Sequence, residues 1–197
     1  MRPLLIYIHG FNSSSQSQKA QEVHRHLVDN NLEIDFLAPT FANYPGQSYQ
    51  QLIEIVTQQR QKERSHIALI GSSLGGFMAS SAAQSLGLKA VLINPAVHPY
   101  RLIGSLLGEN TNPYTGEKYT LLEKHVEELR NIEPATLSFP ERLLVMLQTG
   151  DETLDYRIAK EYYKHSLQIV ESGGDHRFQN FDRHLAKVLQ FLELTTQ

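Results

Sequence analysis

Ile67-Ala68-Leu69-Ile70-Gly71-Ser72-Ser73-Leu74-Gly75-Gly76 is an apolar run that stops on a glycine-framed serine turn, with an alanine-rich stretch running on to Leu86. A strand buried on both faces of a parallel sheet reads as unbroken hydrophobicity, so Ile67–Ile70 predicts an interior strand. Beyond the turn, Ala79, Ala82 and Ala83 are small enough to let a helix lie close against that sheet. A Gly-x-Ser-x-Gly turn between strand and helix lifts its serine clear of the sheet in a strained conformation, which leaves no room for side chains on the flanking positions. Gly71 and Gly75 frame Ser73 and not Ser72. A tight turn with a purely structural role is the competing reading.

Five more apolar runs recur along the chain: Leu4–Ile8, Ile34–Leu37, Ala90–Ile93, Leu143–Leu147 and Leu167–Val170. Helical spacing fills the gaps between them. Ala20, Val23, Leu27 and Val28 form one stripe behind a Ser13–Ser15 cluster suited to capping, Tyr49, Leu52, Ile53 and Val56 a second, and Phe181, Leu185, Val188, Leu189 and Leu192 a third. Strand and helix in alternation predict an α/β fold: a mostly parallel sheet of about six strands with helices on both faces. From His98 to Phe139 the rhythm breaks. No strand is legible there, helical pieces are expected at Tyr100–Leu107 and Leu121–Ile132, and the turn formers of Gly108–Gly116 lie between. An excursion of that length predicts a lid-like insertion, residues 98–139, within a single domain spanning 1–197.

Composition narrows the chemistry. A net charge of −3 gives no pull toward nucleic acid or an anionic membrane, and no basic stripe offsets it. The absence of cysteine removes disulfides, thiolate metal sites and a thiol nucleophile. No His-Glu-x-x-His pattern or carboxylate cluster points to a metal, and His24 and His26, two apart, face different sides of a helix. No cofactor is predicted. The leading run Leu4–Ile8 is too short for a membrane span or a signal core, so the expectation is a cytoplasmic protein.

A serine hydroxyl becomes a nucleophile only when a base takes its proton. In this strand–turn–helix context the acid and base follow the serine in the order Ser, Asp, His. Asp151 follows the Leu143–Leu147 run, at the carboxyl end of a strand, and His176 lies in Gly173-Gly174-Asp175-His176 ahead of the last helical stripe. Asp155 is a rival acid, though its position suits a helix cap better; Glu152 is a weaker one, and Asp175 adjoins the base. The remaining histidines, among them His98 and His125, read as surface residues. Negative charge developing on a carbonyl oxygen needs two preorganised N–H donors. Leu74, at a helix start, and Phe11, after Gly10 in the first strand's loop, are the candidates, while His9 reads as a residue that shapes the loop. Asn12, Tyr100, Leu102, Leu106 and Leu107 are candidate pocket residues.

Six segments carry a family resemblance across nearly the whole chain: His9-Gly10-Phe11-Asn12-Ser13-Ser14, Gly71–Gly76, Asn94-Pro95-Ala96-Val97, Gly108–Gly116, Thr149-Gly150-Asp151-Glu152 and Gly173–His176. In these the sequence resembles the α/β-hydrolase superfamily, and within it the small bacterial YqiA/YcfP-type esterases of the UPF0227 group. The resemblance implies a trimmed hydrolase sheet, a triad on Ser73, Asp151 and His176, and action on a small-molecule acyl ester or acyl-CoA-like thioester. Asp175 is the one departure, standing where the pattern leads one to expect asparagine. A serine esterase or thioesterase is therefore expected. An acyltransferase using the same triad, and a non-catalytic binding protein on a hydrolase fold, are the alternatives. The sequence is silent on oligomeric state.

Overall fold

The computed structural model describes residues 2–62, 64 and 66–195. Its strands are β1 (Leu4–Ile8), β2 (Asp35–Leu37), β3 (Ile67–Ser72), β4 (Lys89–Ile93), β5 (Gly108–Thr111), β6 (Lys118–Leu121), β7 (Leu143–Gln148) and β8 (Leu167–Glu171). The helices are α1 (Gln18–Asp29), α2 (Pro45–Gln61), α3 (Leu74–Leu86), α4 (Tyr100–Ile103), α5 (Glu123–Ile132), α6 (Tyr156–Tyr162) and α7 (Leu185–Phe191). Six strands form one sheet in the order β2-β1-β3-β4-β7-β8, and every neighbouring pair is parallel. The order reverses between β1 and β3, the place where an open parallel sheet leaves a crevice beyond its strand ends. No helix among the described residues is long and apolar enough to cross a membrane.

Alternation along each strand builds two cores. Leu4, Ile6 and Ile8 of β1 face Leu52 and Val56 of α2, Phe77 and Met78 of α3, and Val126 and Leu129 of α5. Leu5 and Tyr7 face Ala20, Val23 and Leu27 of α1 and Leu185, Val188 and Leu189 of α7. Both faces of the sheet are thus covered, which is why the central strands read as unbroken apolar runs. The edge strands β2 and β8 are only partly buried, and Leu167 and Val170 of β8 are exposed.

The excursion differs from expectation. Residues 98–139 hold two strands, not none: β5 and β6 pair antiparallel, with Gly108 opposite Leu121 and Thr111 opposite Lys118. The pattern hid them because Gly-Glu-Asn-Thr carries no apolar residue and only Tyr119 and Leu121 of β6 turn inward. Those two side chains join the main core, each contributing roughly 1.5–3 kcal/mol by burial. The expected helix at Tyr100–Leu107 is one turn of α followed by a 3-10 turn at Gly104–Leu106, and α5 starts at Glu123. At α1 the cap position falls on Ser17, downstream of the serine cluster.

Candidate active site

Ser73 stands between β3 and α3 at φ 55°, ψ −121°. Four backbone hydrogen bonds hold that conformation. Its N–H donates to the Ile93 carbonyl at 3.0 Å, and its own carbonyl accepts from Gly76, Ala96 (each 3.0 Å) and Phe77 (3.2 Å). A side-chain carbon on Gly71 would collide with the Gly75 carbonyl, and one on Gly75 with the Ile8 carbonyl. The turn therefore closes only with glycine at both places, and strain at Ser73 persists because its surroundings over-determine it. Ser72 is directed elsewhere, its Oγ 3.0 Å from the buried Tyr7 hydroxyl.

Asp151 and His176 meet. His176 Nδ1 lies 2.8 Å from Asp151 Oδ2 and 3.0 Å from Oδ1, and the Asp151 side chain is 2% exposed. Asp151 is itself fixed, because Oδ1 accepts from the backbone N–H groups of Thr153 (2.9 Å) and Leu154 (2.8 Å). This pairing leaves Nδ1 as the donor and Nε2 free to accept a proton. His176 and Ser73 line one cleft together with Gly10, Phe11, Asn12 and Tyr114. No hydrogen bond joins Ser73 Oγ to Nε2, a contact that in unliganded sites often tightens only around substrate.

The rival acids are otherwise engaged. Asp155 caps α6, accepting from Arg157 N–H at 3.0 Å, and the Arg157 guanidinium beside it holds its carboxyl below the usual range. Asp175 accepts from Arg177 N–H and from Gln179 Nε2, both at 3.0 Å. Glu152 supports the base from behind, accepting His176 N–H at 3.0 Å.

Two further buried side chains hold the histidine loop. Asn94 donates from Nδ2 to the carbonyls of Asp175 and His176, each at 3.1 Å, and accepts from Gln148 N–H through Oδ1 at 3.0 Å. Gln148 Oε1 accepts from Asp175 N–H (3.1 Å) and Gln179 N–H (2.8 Å). Sequence marked Asn94 only as part of a family segment. The usable signal was a polar residue ending each of two otherwise apolar runs.

At the other wall, Gly10 packs directly on the serine: a Cβ there would lie 3.2 Å from Ser73 Cβ and 3.7 Å from Oγ. Leu74 opens α3, so its N–H has no carbonyl one turn back to bond. His9 is buried, its Nδ1 2.9 Å from the Gly10 carbonyl and its Nε2 accepting from Phe41 N–H at 2.9 Å. Burial lowers its pKa, so the ring serves as a neutral tie between the β1 loop and the segment before α2. The β5–β6 hairpin clasps the same loop. Tyr119 Oη donates to Asn12 Oδ1 at 2.6 Å, and the buried Asn112 reaches Asn43 Oδ1 at 2.8 Å and the Ser13 carbonyl at 3.2 Å.

Of the candidate pocket residues, Asn12 lines the cleft and Tyr100, Leu102, Leu106 and Leu107 do not. Tyr100 lies against His98 with the rings tilted at 51° and centroids 5.7 Å apart, and the three leucines are exposed on the 3-10 turn and its flanks. His125 is likewise no surface residue: it is buried against Tyr44, with ring centroids 4.8 Å apart. Among the described residues no group of His, Asp and Glu could hold a metal ion.

A parallel sheet with a strained serine between strand and helix, and an Asp–His pair at later strand ends, defines the α/β-hydrolase fold, and solved structures agree. A putative hydrolase from Agrobacterium vitis S4 superposes at TM-score 0.75 with 18% identity, over 97% of this chain and 88% of that one. Est1E of Butyrivibrio proteoclasticus, with ferulic acid bound, gives 0.71 with 16% identity over 97% and 86%. A monoacylglycerol lipase from Paleococcus ferrophilus gives 0.69 with 13% identity over 98% and 96%. Within that fold the chain belongs to UPF0227, described as an uncharacterised protein family, whose model matches residues 4–193. A UPF0227 protein of Serratia proteamaculans is 27% identical over 194 residues, 97% of this chain and 99% of that protein. The UPF0227 protein YcfP of Escherichia coli O9:H4 is 26% identical over the same length and shares.

Proposed function

We propose that this chain is a serine hydrolase that cleaves small carboxylic esters or acyl thioesters through an acyl-enzyme on Ser73. The observation that carries the reading is the Asp151–His176 pair at 2.8 Å, opening onto the cleft that holds Ser73. Ser73 Oγ attacks the carbonyl carbon while His176 Nε2 takes its proton, and Asp151 holds the imidazolium in place. The N–H groups of Phe11 and Leu74 receive the oxyanion. His176 then returns the proton to the departing alcohol or thiol. Water, deprotonated by the same ring, releases the acid. The 98–139 excursion supplies the cleft's outer wall through Tyr114 at the hairpin turn.

An alkyl fluorophosphonate tests the mechanism. Expected is a single covalent adduct on the peptide carrying Ser73, formed in step with loss of p-nitrophenyl butyrate turnover. An adduct on another residue, or turnover that persists after full labelling, would rule the mechanism out.

Tyr119 serves this reading as a positioning residue, because its hydroxyl holds Asn12, which takes φ 51° next to the Phe11 donor. Tyr119→Phe is expected to lower kcat about fivefold, the kinetic equivalent of one ordinary hydrogen bond of ~1 kcal/mol, and to leave KM nearly unchanged. An equal rise in KM at constant kcat would place the hydroxyl in ground-state binding instead.

A further inference from the structure

Lys19 occupies an improbable place for a cation. It lies in the first turn of α1, where the helix dipole disfavours positive charge, and it is only 7% exposed. Its one hydrogen bond goes to the Phe178 carbonyl at 3.3 Å, and among the described residues it forms no ion pair. Glu22 and Asp175 act on it only through space, Arg177 opposes them, and burial pulls the ammonium below its usual pKa range. A buried ammonium without a carboxylate against it is a destabilising arrangement. Lys19 nevertheless lines the cleft that contains Ser73 and His176, and so does Arg177, whose exposed guanidinium follows the candidate base directly. Among the described residues no aspartate or glutamate lines that cleft.

We propose that Lys19 and Arg177 form an anion-binding subsite of the cleft, so that the preferred ester carries a carboxylate or phosphate group beside the bond that is cleaved. The inference rests on the serine-hydrolase reading and adds a substrate class to it. The anion places an oxygen directly against the Lys19 ammonium, on which Glu22 and Asp175 act only through space, and Arg177 completes the clamp with a planar pair of donors. A neutral ester of the same size gains neither contact.

Two substrate pairs test this and separate the sources of the anion. Mono-p-nitrophenyl glutarate against p-nitrophenyl butyrate places the charge on the acyl side. Butyrylglycerol phosphate against butyrylglycerol places it on the leaving group. The quantity read is kcat/KM for the anionic ester divided by that for its neutral partner. Expected is a fall in this ratio of about tenfold in at least one pair for Arg177→Gln and for Lys19→Met, and a larger fall for Arg177→Glu. Arg177 is exposed, so its variants keep the test valid should the buried Lys19→Met fail to fold. Ratios within about twofold of the parent in both pairs would overturn the subsite while leaving hydrolysis standing. A parent chain that turns over none of the four esters would overturn the hydrolase reading and the subsite with it.

Discussion

Ser73→Ala is expected to lower kcat for p-nitrophenyl butyrate by about 10⁶ and to abolish fluorophosphonate labelling, with the fold intact. Only the hydroxyl is lost. The four hydrogen bonds that hold residue 73 in its strained conformation all run through its backbone N–H and carbonyl, and they survive the change. Residual turnover is expected to sit about 10³–10⁴ above the uncatalysed rate, because the Phe11 and Leu74 donors and the cleft still bind the transition state. The melting temperature should move little, as for substitutions within ~0.5 kcal/mol of neutral. Ser72→Ala is expected to behave in the opposite way. It removes one partner of the buried Tyr7 hydroxyl, at 3.0 Å, leaving Ser17 as the other, costs about 1 kcal/mol of stability and keeps turnover. Steady-state kinetics and thermal melts on the pair check both. Activity within tenfold of the parent in Ser73→Ala would sink the nucleophile assignment.

That contrast turns on register, and register was legible in the sequence because steric necessity wrote it. Only glycine fits where Gly71 meets the Gly75 carbonyl and Gly75 meets the Ile8 carbonyl, so the serine midway between them is singled out. All six sheet strands were legible for a related reason. The central strands β1, β3, β4 and β7 are buried on both faces and so read as continuous apolar runs, while the partly buried edge strands still set Phe36 and Ile169 against the second core. Where tertiary contacts between polar residues do the holding, the pattern fails. The β5–β6 hairpin is pinned by Asn112 to Asn43, 69 residues away, and by Tyr119 to Asn12, 107 residues away, pairings no local periodicity encodes. The α1 stripe shows the same limit from the other side. Val28, expected inside, is 59% exposed, and Lys19, outside the stripe, is 7% exposed. Ala20, Val23 and Leu27 share a core with Phe178 and Phe181, and Lys19 donates to the Phe178 carbonyl, tertiary partners that a hydrophobic stripe alone does not specify.

Asp151→Asn is expected to lower kcat by about 10⁴ at neutral pH without unfolding the chain, and the second fixation of this side chain is the reason. Oδ1 is held by the N–H groups of Thr153 and Leu154, both of which require an acceptor. An asparagine placed here keeps its carbonyl oxygen toward those two donors. Its amide nitrogen then takes the position of Oδ2, 2.8 Å from His176 Nδ1. Two donors cannot face each other, so Nδ1 becomes the acceptor and the ring proton moves to Nε2. That tautomer presents an N–H to Ser73 and has no lone pair with which to take its proton. The geometry is preserved and the chemistry is lost, so KM is expected to change far less than kcat. Asp155→Asn offers the discriminating control. Its carboxylate is spent on Arg157 at the start of α6, and turnover should stay near that of the parent. An Asp155→Asn variant that loses activity as deeply as Asp151→Asn would move the orienting acid to the neighbouring turn, and with it the whole reading of how His176 is set. Should Asp151→Asn instead retain nearly full kcat, His176 would be working without an orienting carboxylate, and the 2.8 Å contact would be a structural tie of the loop.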